Sequence, residues 1–385
     1  MKNLKFLLLF ILAFLVFWSC EKDRIDSDFI NEQSTELTLR KAEKSKLQNR
    51  VVNSEALKDN FIGNSHTRKL QVYTPPGYEK NGPEGYPVVY LLHGFPFSEK
   101  SFIEPSVWDE WITPYLFTQE YPDFPVEGFR LWVDNLIEEE IIEPMIIVMP
   151  NAGTEPYGFS FYTNSMLNGN FEDFIVNDLV SYMDKNYNTI PNASGRAVVG
   201  HSQGGYAAFK FGMLHPDVFG TIGSHSGLLM VDALFDPLML SRLEQENDGE
   251  FTGPDPTKFL TSALYGMSAA WSPNLYNPPF FVDLPLEFHE DGHLYPVPEV
   301  VGLWYQNDVF HLLNNHIDDL NSLNIFFDVG LEDELSTHLV HLYYFEPMLH
   351  SLGVDNYTFE TYIGGHHSHM FQQLAKSLEF CSNSM

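Results

Sequence analysis

Near the middle of the chain, Gly200-His201-Ser202-Gln203-Gly204 holds a serine between two glycines with one residue on either side. A serine hydroxyl is a weak nucleophile until a neighbouring base takes its proton and an acid fixes that base's tautomer. The G-x-S-x-G pattern suits this task at the point of a tight strand-to-helix turn, where side chains in place of the glycines would collide with the adjoining strand and helix. The chemistry it would serve is acyl transfer, in which two backbone N–H groups must meet the oxyanion of a tetrahedral intermediate. The amide of Gln203, directly after the serine, is one candidate. The second is expected from the loop after His93-Gly94, which points to Phe95.

The chain order Ser, then acid, then His places both partners downstream of Ser202. Asp328-Val329-Gly330-Leu331-Glu332-Asp333 leaves a strand that ends near Val329. Asp333 falls in the loop beyond it and is preferred, with Asp328 and Glu332 as lesser choices; a solvated loop charge is the competing role for any of them. For the base, Tyr362-Ile363-Gly364-Gly365-His366-His367-Ser368-His369 puts a histidine after a strand and a glycine pair. His366 comes first, His367 is its direct competitor, and His369 belongs to the following helix. Such a cluster raises the question of a metal, but zinc ligands normally combine local and distant positions. Beyond His289 and His293 no second cluster stands out, so neither a metal nor any other cofactor is expected.

These residues need a scaffold. Val88 to Leu92, Met145 to Met149, Arg196 to Val199 and Asn324 to Val329 are short apolar runs without alternation, as in strands buried on both faces of a largely parallel sheet. Helix-period stretches such as Phe171 to Lys185 and Gly205 to Leu214 lie between them, and strands alternating with helices mean an α/β layered fold. Two segments break the alternation. About 103–130 and about 228–313 are aromatic-rich excursions of the kind that form lids or substrate walls at one end of a sheet.

Of the 385 residues, 52 are Asp or Glu against 21 Lys or Arg, a formal charge of -31, and only 2 are Cys. So acidic a chain would be repelled by nucleic acid and by anionic membrane surfaces, and two cysteines exclude a disulfide scaffold. Hydrophobic residues make up 44% of the chain, enough for a large core. At the start, Lys2 and Lys5 precede an apolar run from Phe6 to Trp18, then Ser19 and Cys20, which reads as an export signal at 1–19 with Cys20 as a lipid attachment site. A polar tether at 20–48 and a single domain at 49–385 complete the expected organisation. The expected location is exported: an outer-membrane-anchored, periplasmic or cell-surface lipoprotein that meets the membrane only through its lipid.

Several further stretches carry a resemblance: Val72-Tyr73-Thr74-Pro75-Pro76-Gly77-Tyr78, Tyr86 through Gly94, Phe161-Tyr162-Thr163-Asn164-Ser165, Gly200 through Gly205, and His215-Pro216-Asp217-Val218-Phe219, together with Gly364-Gly365-His366 and the Asp328 to Asp333 segment. With these the chain resembles the putative esterase (esterase D, feruloyl esterase-like) family of α/β-hydrolases. The resemblance implies a mostly parallel central sheet with helices on both faces, and Ser202, Asp333 and His366 as a triad. It departs from the family at Gln203, where Met is common, and in having Gly94-Phe95-Pro96 rather than a glycine-rich oxyanion loop. The expected activity is hydrolysis of acetyl or feruloyl esters on carbohydrate. The alternatives are a siderophore or small-ester hydrolase and a non-catalytic hydrolase-fold binding lipoprotein.

Overall fold

The computed structural model describes residues 44–95, 98–109, 122–255 and 257–385. The expected export signal, Cys20 and most of the tether lie outside the described residues. The chain divides into Met1–Ser45 with Pro76–Tyr78 and Lys46–Pro75 with Glu79–Met385, and every described strand and helix lies in the second unit.

Eight strands form one sheet: β1 Lys46–Asn53, β2 Thr67–Thr74, β3 Val88–Leu92, β4 Ile146–Pro150, β5 Arg196–His201, β6 Thr221–His225, β7 Asn324–Gly330 and β8 Tyr357–Tyr362. Their spatial order is β1-β2-β4-β3-β5-β6-β7-β8. From β4 to β8 all neighbours are parallel, whereas β2 runs antiparallel to both β1 and β4. The apolar runs behave as expected of two-sided burial, since every residue of β3, β4, β5 and β6 is buried. β1 begins at Lys46, inside the stretch expected to be tether, because its residues pair with β2 along their full length.

The principal helices are α1 Phe129–Glu138, α2 Val180–Asn186, α3 Gln203–Leu214, α4 Pro237–Asn247, α5 Phe259–Trp271, α6 Pro298–Tyr305 and α7 Met370–Ser384. Alternate strand residues face opposite sides of the sheet. Val89, Leu91, Ile147, Met149, Ala197 and Val199 meet α1 and α7 through Val133, Leu136, Phe371, Leu374 and Leu378. Burying an aliphatic or aromatic side chain of this size stabilises by about 1.5–3 kcal/mol, so this layer is a main source of rigidity beneath the loops. The other face carries α3, which is buried at every residue but its last. Even Lys210 of α3 is 3% exposed; it pairs with Glu172 at 2.9 Å.

The excursion at 228–313 is more regular than its composition suggests. It contains α4, α5, α6 and a ribbon of Leu286–Phe288 with Leu294–Pro296. Its aromatics build a second core in which Tyr157, Leu167, Tyr265, Ala269 and Val282 pack with Phe251, Phe280 and Phe281. In the excursion at 103–130, residues 110–121 lie outside the described ones. Trp108 is buried and donates Nε1–H to the Ser101 carbonyl at 2.8 Å.

Candidate active site

The register of the parallel strands brings four loop origins to one sheet edge. Leu92 pairs with Gly200, His201 with His225, His225 with Asp328, and Gly330 with Tyr362. The segments after β3, β5, β7 and β8 therefore emerge side by side, and they carry Phe95, Ser202, Asp333 and His366.

Ser202 sits between β5 and α3 at φ 58 and ψ -118, a left-sided conformation that an L-residue keeps only under strain. The turn is possible because its flanks lack side chains. A Cβ at Gly200 would lie 2.3 Å from the Gly204 carbonyl, and one at Gly204 2.3 Å from the Leu92 oxygen. The Ser202 amide donates to the His225 carbonyl at 2.9 Å, which fixes the turn on the next strand. Gln203 opens α3, so its amide is among the first-turn donors with no intrahelical acceptor.

His366 Nδ1 lies 2.7 Å from Asp333 Oδ2, with both side chains buried. Asp333 is held in turn: Thr337 Oγ1 donates to Oδ2 at 2.5 Å and the Leu335 amide to Oδ1 at 2.9 Å. Burial alone would raise the Asp333 pKa, but the His366 ring and these donors outweigh it and hold the carboxyl below its ordinary range. The backbone of His366 is clamped at both ends. Its amide donates to Glu334 Oε2 at 2.9 Å, and its carbonyl meets His201 Nε2 at 2.8 Å. His201 is the residue next to Ser202, so the serine turn and the histidine loop are joined by one hydrogen bond.

On the other side of the serine, a Cβ at Gly94 would lie 3.1 Å from Ser202 Cβ, which brings the His93-Gly94-Phe95 segment against the turn. Burial lowers the His93 pKa to about 4, so the ring is neutral; it donates from Nδ1 to the Gly94 carbonyl at 2.8 Å and accepts the Ala152 amide at Nε2 at 3.0 Å. Tyr162 Oη donates to the His93 carbonyl at 2.9 Å. Gln203 Oε1 accepts the Phe161 amide at 3.2 Å, so the family's common Met at this position would leave that amide without its acceptor. Phe161 and Tyr162 have φ 46 and 47, a strained pair that the surrounding contacts hold. The Phe95 ring stacks on Phe159 at 3.3 Å between centroids and tilts against Phe259 of α5, so the larger excursion forms a wall beside this segment.

Of the competing candidates, Asp328 pairs with His225 at 2.8 Å and not with His366. Glu332 offers its backbone amide to the Gly364 carbonyl at 2.9 Å and is exposed. His367 is buried against Trp108 at 4.9 Å between ring centroids. His369 stands at the cap of α7 and packs on Tyr362. The histidine cluster expected from the C-terminal segment is thus made differently: His201 joins His366 and His367, because the serine turn abuts the histidine loop, and His369 points elsewhere. His289 and His293 are exposed and bonded to Glu287 and Glu244. Sequence reasoning missed the bracing roles of His93, His201, Tyr162 and Glu334; the histidine inside the G-x-S-x-G run was the one available signal.

The family model described as "Putative esterase" matches residues 64–374. Among curated proteins, the chain is 31% identical over 179 residues to an endo-1,4-beta-xylanase/feruloyl esterase of Xylanibacter ruminicola, covering 44% of this chain and 22% of that one. It is 27% identical over 158 residues to an esterase of Mycobacterium tuberculosis, covering 41% and 28%. The chain therefore spans only about a quarter of the length of these relatives. Among solved structures, a ferulic acid esterase aligns at TM-score 0.56 and 20% identity, over 89% of this chain and all of that one. A Staphylococcus aureus fluorophosphonate-binding serine hydrolase aligns at 0.55 and 16% identity, over 88% and 99%. At such identities these structures establish the α/β-hydrolase fold.

Proposed function

Because the chain belongs to the Putative esterase family, we propose that it is a serine carboxylic-ester hydrolase with Ser202, His366 and Asp333 as its triad. The observation that carries this reading is the strained Ser202 turn tied through His201 to a histidine whose Nδ1 is bonded to a buried carboxylate. With the proton of His366 on Nδ1, its Nε2 lone pair is available as base. Ser202 attacks the ester carbonyl while His366 takes its proton, and Asp333 stabilises the imidazolium. The amides of Gln203 and Phe95 meet the oxyanion. His366 then protonates the leaving alcohol, and a second round with water releases the acid. No step calls for a cofactor.

The test is hydrolysis of p-nitrophenyl acetate by the purified chain and by Ser202→Ala. Loss of the hydroxyl is expected to lower kcat by about 10⁴-fold or more, and equal rates would sink the enzyme reading.

For the substrate we infer neutral carbohydrate carrying acetyl or feruloyl groups. The likeness to a xylanase/feruloyl esterase and to a ferulic acid esterase supports this, as does the aromatic wall of Phe95, Phe159 and Phe259. The charge of -31 disfavours polyanionic polymers. A panel of acetylated and feruloylated oligosaccharides beside simple esters decides it: turnover confined to the simple esters moves the substrate to a siderophore or small-ester class. Export with lipid attachment at Cys20 belongs to the same proposal. Its check is incorporation of labelled palmitate in cells, which Cys20→Ser is expected to abolish.

A further inference from the structure

The rings of His201, His366 and His367 form a nearly regular triangle, with centroids 5.0, 4.8 and 5.1 Å apart. One nitrogen from each lies within 4.8 Å of the others, and the three residues are 3%, 2% and 7% exposed. Ester hydrolysis uses one of these rings as base and one nitrogen of His201 as a brace, and it gives no role to the other His201 nitrogen or to the His367 ring. Among the described residues the cluster is three imidazoles with no carboxylate in the set, and all three residues are buried.

The hydrogen bonds around the triangle set the tautomers as a metal site would. His366 Nδ1 donates to Asp333, which turns the unprotonated Nε2 outward. His201 Nε2 donates to the His366 carbonyl, which leaves its Nδ1 unprotonated, and that buried Nδ1 has no hydrogen-bond partner. Ligating histidines characteristically give their other N–H to a carboxylate or a backbone carbonyl, and both arrangements are present here.

We propose that His201, His366 and His367 bind a borderline divalent transition ion of the Zn²⁺ class, and that the bound ion inhibits the enzyme by occupying the nitrogen that serves as base. Zinc–nitrogen distances of about 2.0–2.1 Å require the three nitrogens, now within 4.8 Å of one another, to draw together around the ion, with water in the fourth position of the tetrahedron. The Asp333 carboxylate behind His366 offsets part of the ion's charge. Ions that prefer oxygen, Mg²⁺ and Ca²⁺, find no suitable ligands in this triangle. The kinetic consequence rests on the hydrolase reading, whereas the binding does not.

The experiment uses untagged protein stripped with chelator. Co²⁺, which reports tetrahedral nitrogen ligation through visible absorption bands, is titrated into Ser202→Ala, and Zn²⁺ is used to displace it. One equivalent is expected to bind with tetrahedral bands, and His201→Gln or His367→Gln to weaken binding by about 10–100-fold. His201→Gln keeps a donor for the His366 carbonyl, and circular dichroism of both variants separates lost ligation from lost folding. Asp308→Asn, which alters the separate Asp232, Asp308 and His311 cluster, is expected to leave the bands in place. In the wild-type chain Zn²⁺ is expected to inhibit p-nitrophenyl acetate hydrolysis and a chelator to restore it, with Mg²⁺ inert. Absence of a stoichiometric tetrahedral site, or bands that survive both histidine changes in folded protein, would overturn the proposal. An inactive chain that still shows the bands would count against the hydrolase reading alone.

Discussion

β7 and the loop beyond it supply two histidine–aspartate pairs that share chemistry and differ in setting. Asp333 binds His366 at 2.7 Å beside the Ser202 turn. Asp328 binds His225 at 2.8 Å inside the sheet, and His225 Nε2 lies 2.9 Å from Ser377 Oγ. The second set therefore also runs serine, histidine, aspartate in hydrogen-bond order, with Ser377 and Asp328 fully buried. What it lacks is presentation. Ser377 is an interior residue of α7, where the backbone amides are already bonded along the helix and none is left for an oxyanion. Its hydroxyl also lies 3.0 Å from the Leu374 carbonyl, its own helix's acceptor. Ser202 stands on a strained turn at a helix start, half-buried, with the next amide unclaimed by the helix. The strand-to-helix turn, more than the identity of the three side chains, separates a nucleophile from a structural hydroxyl.

The largest effect that tests this contrast comes from removing one charge at a time. Asp333→Asn is expected to lower kcat by about 10⁴-fold with the fold intact, because the amide cannot hold the His366 proton on Nδ1. Asp328→Asn is expected to leave kcat nearly unchanged yet cost about 1–3 kcal/mol of stability, the range for upsetting a buried hydrogen bond from one side. The His225 carbonyl still receives the Ser202 amide through the backbone, so the turn survives the change. Steady-state kinetics with urea unfolding of both variants checks the pair. If Asp328→Asn silences the enzyme at full stability, the division between a working pair and a supporting pair is wrong.

Much of the catalytic side was legible because its signals are local. The glycines around Ser202 announce a turn through their missing side chains, and the buried strands announce themselves through unbroken apolar runs. Asp333 could be ranked above Asp328 because one lies inside the strand and the other beyond it. The rest depends on contacts between distant segments. His201 reads as the variable residue of a motif, and only the approach of the histidine loop gives it a role. Glu334 reads as one more charge in an acidic chain until the His366 amide is seen to need an acceptor. The helices inside the 228–313 excursion also depend on such contacts: Pro237 and Pro298 stand in the first turns of α4 and α6, where proline costs the helix nothing, and many of the aromatics pack into a core. Cys381 is buried with its pKa pushed up to about 12, so it is inert packing.

A smaller effect sharpens the same contrast through acid. The catalytic side is crowded with histidines kept neutral by burial: His93 and His341 have pKa values lowered to about 4 and His201 to about 3. Unfolded histidine titrates near 6.5, so as pH falls from about 6.5 to about 4 the unfolded chain takes up protons that the folded chain refuses. Stability therefore falls with pH across that window, by up to about 1.36 kcal/mol per pH unit for each such histidine. Carboxylates act lower. Glu172, which burial would raise but His215 and Lys210 bring down to about 2, loses its contribution only below its ordinary 4.5. Urea midpoints at pH 7, 6 and 5 thus isolate the histidines. His93→Gln, whose amide can still donate to the Gly94 carbonyl and accept from Ala152, is expected to flatten the slope by about one proton. A slope already flat between pH 6.5 and 5 in the parent chain would mean that these rings are charged in the folded state, and the tautomers assigned to His93 and His201 would fall with it.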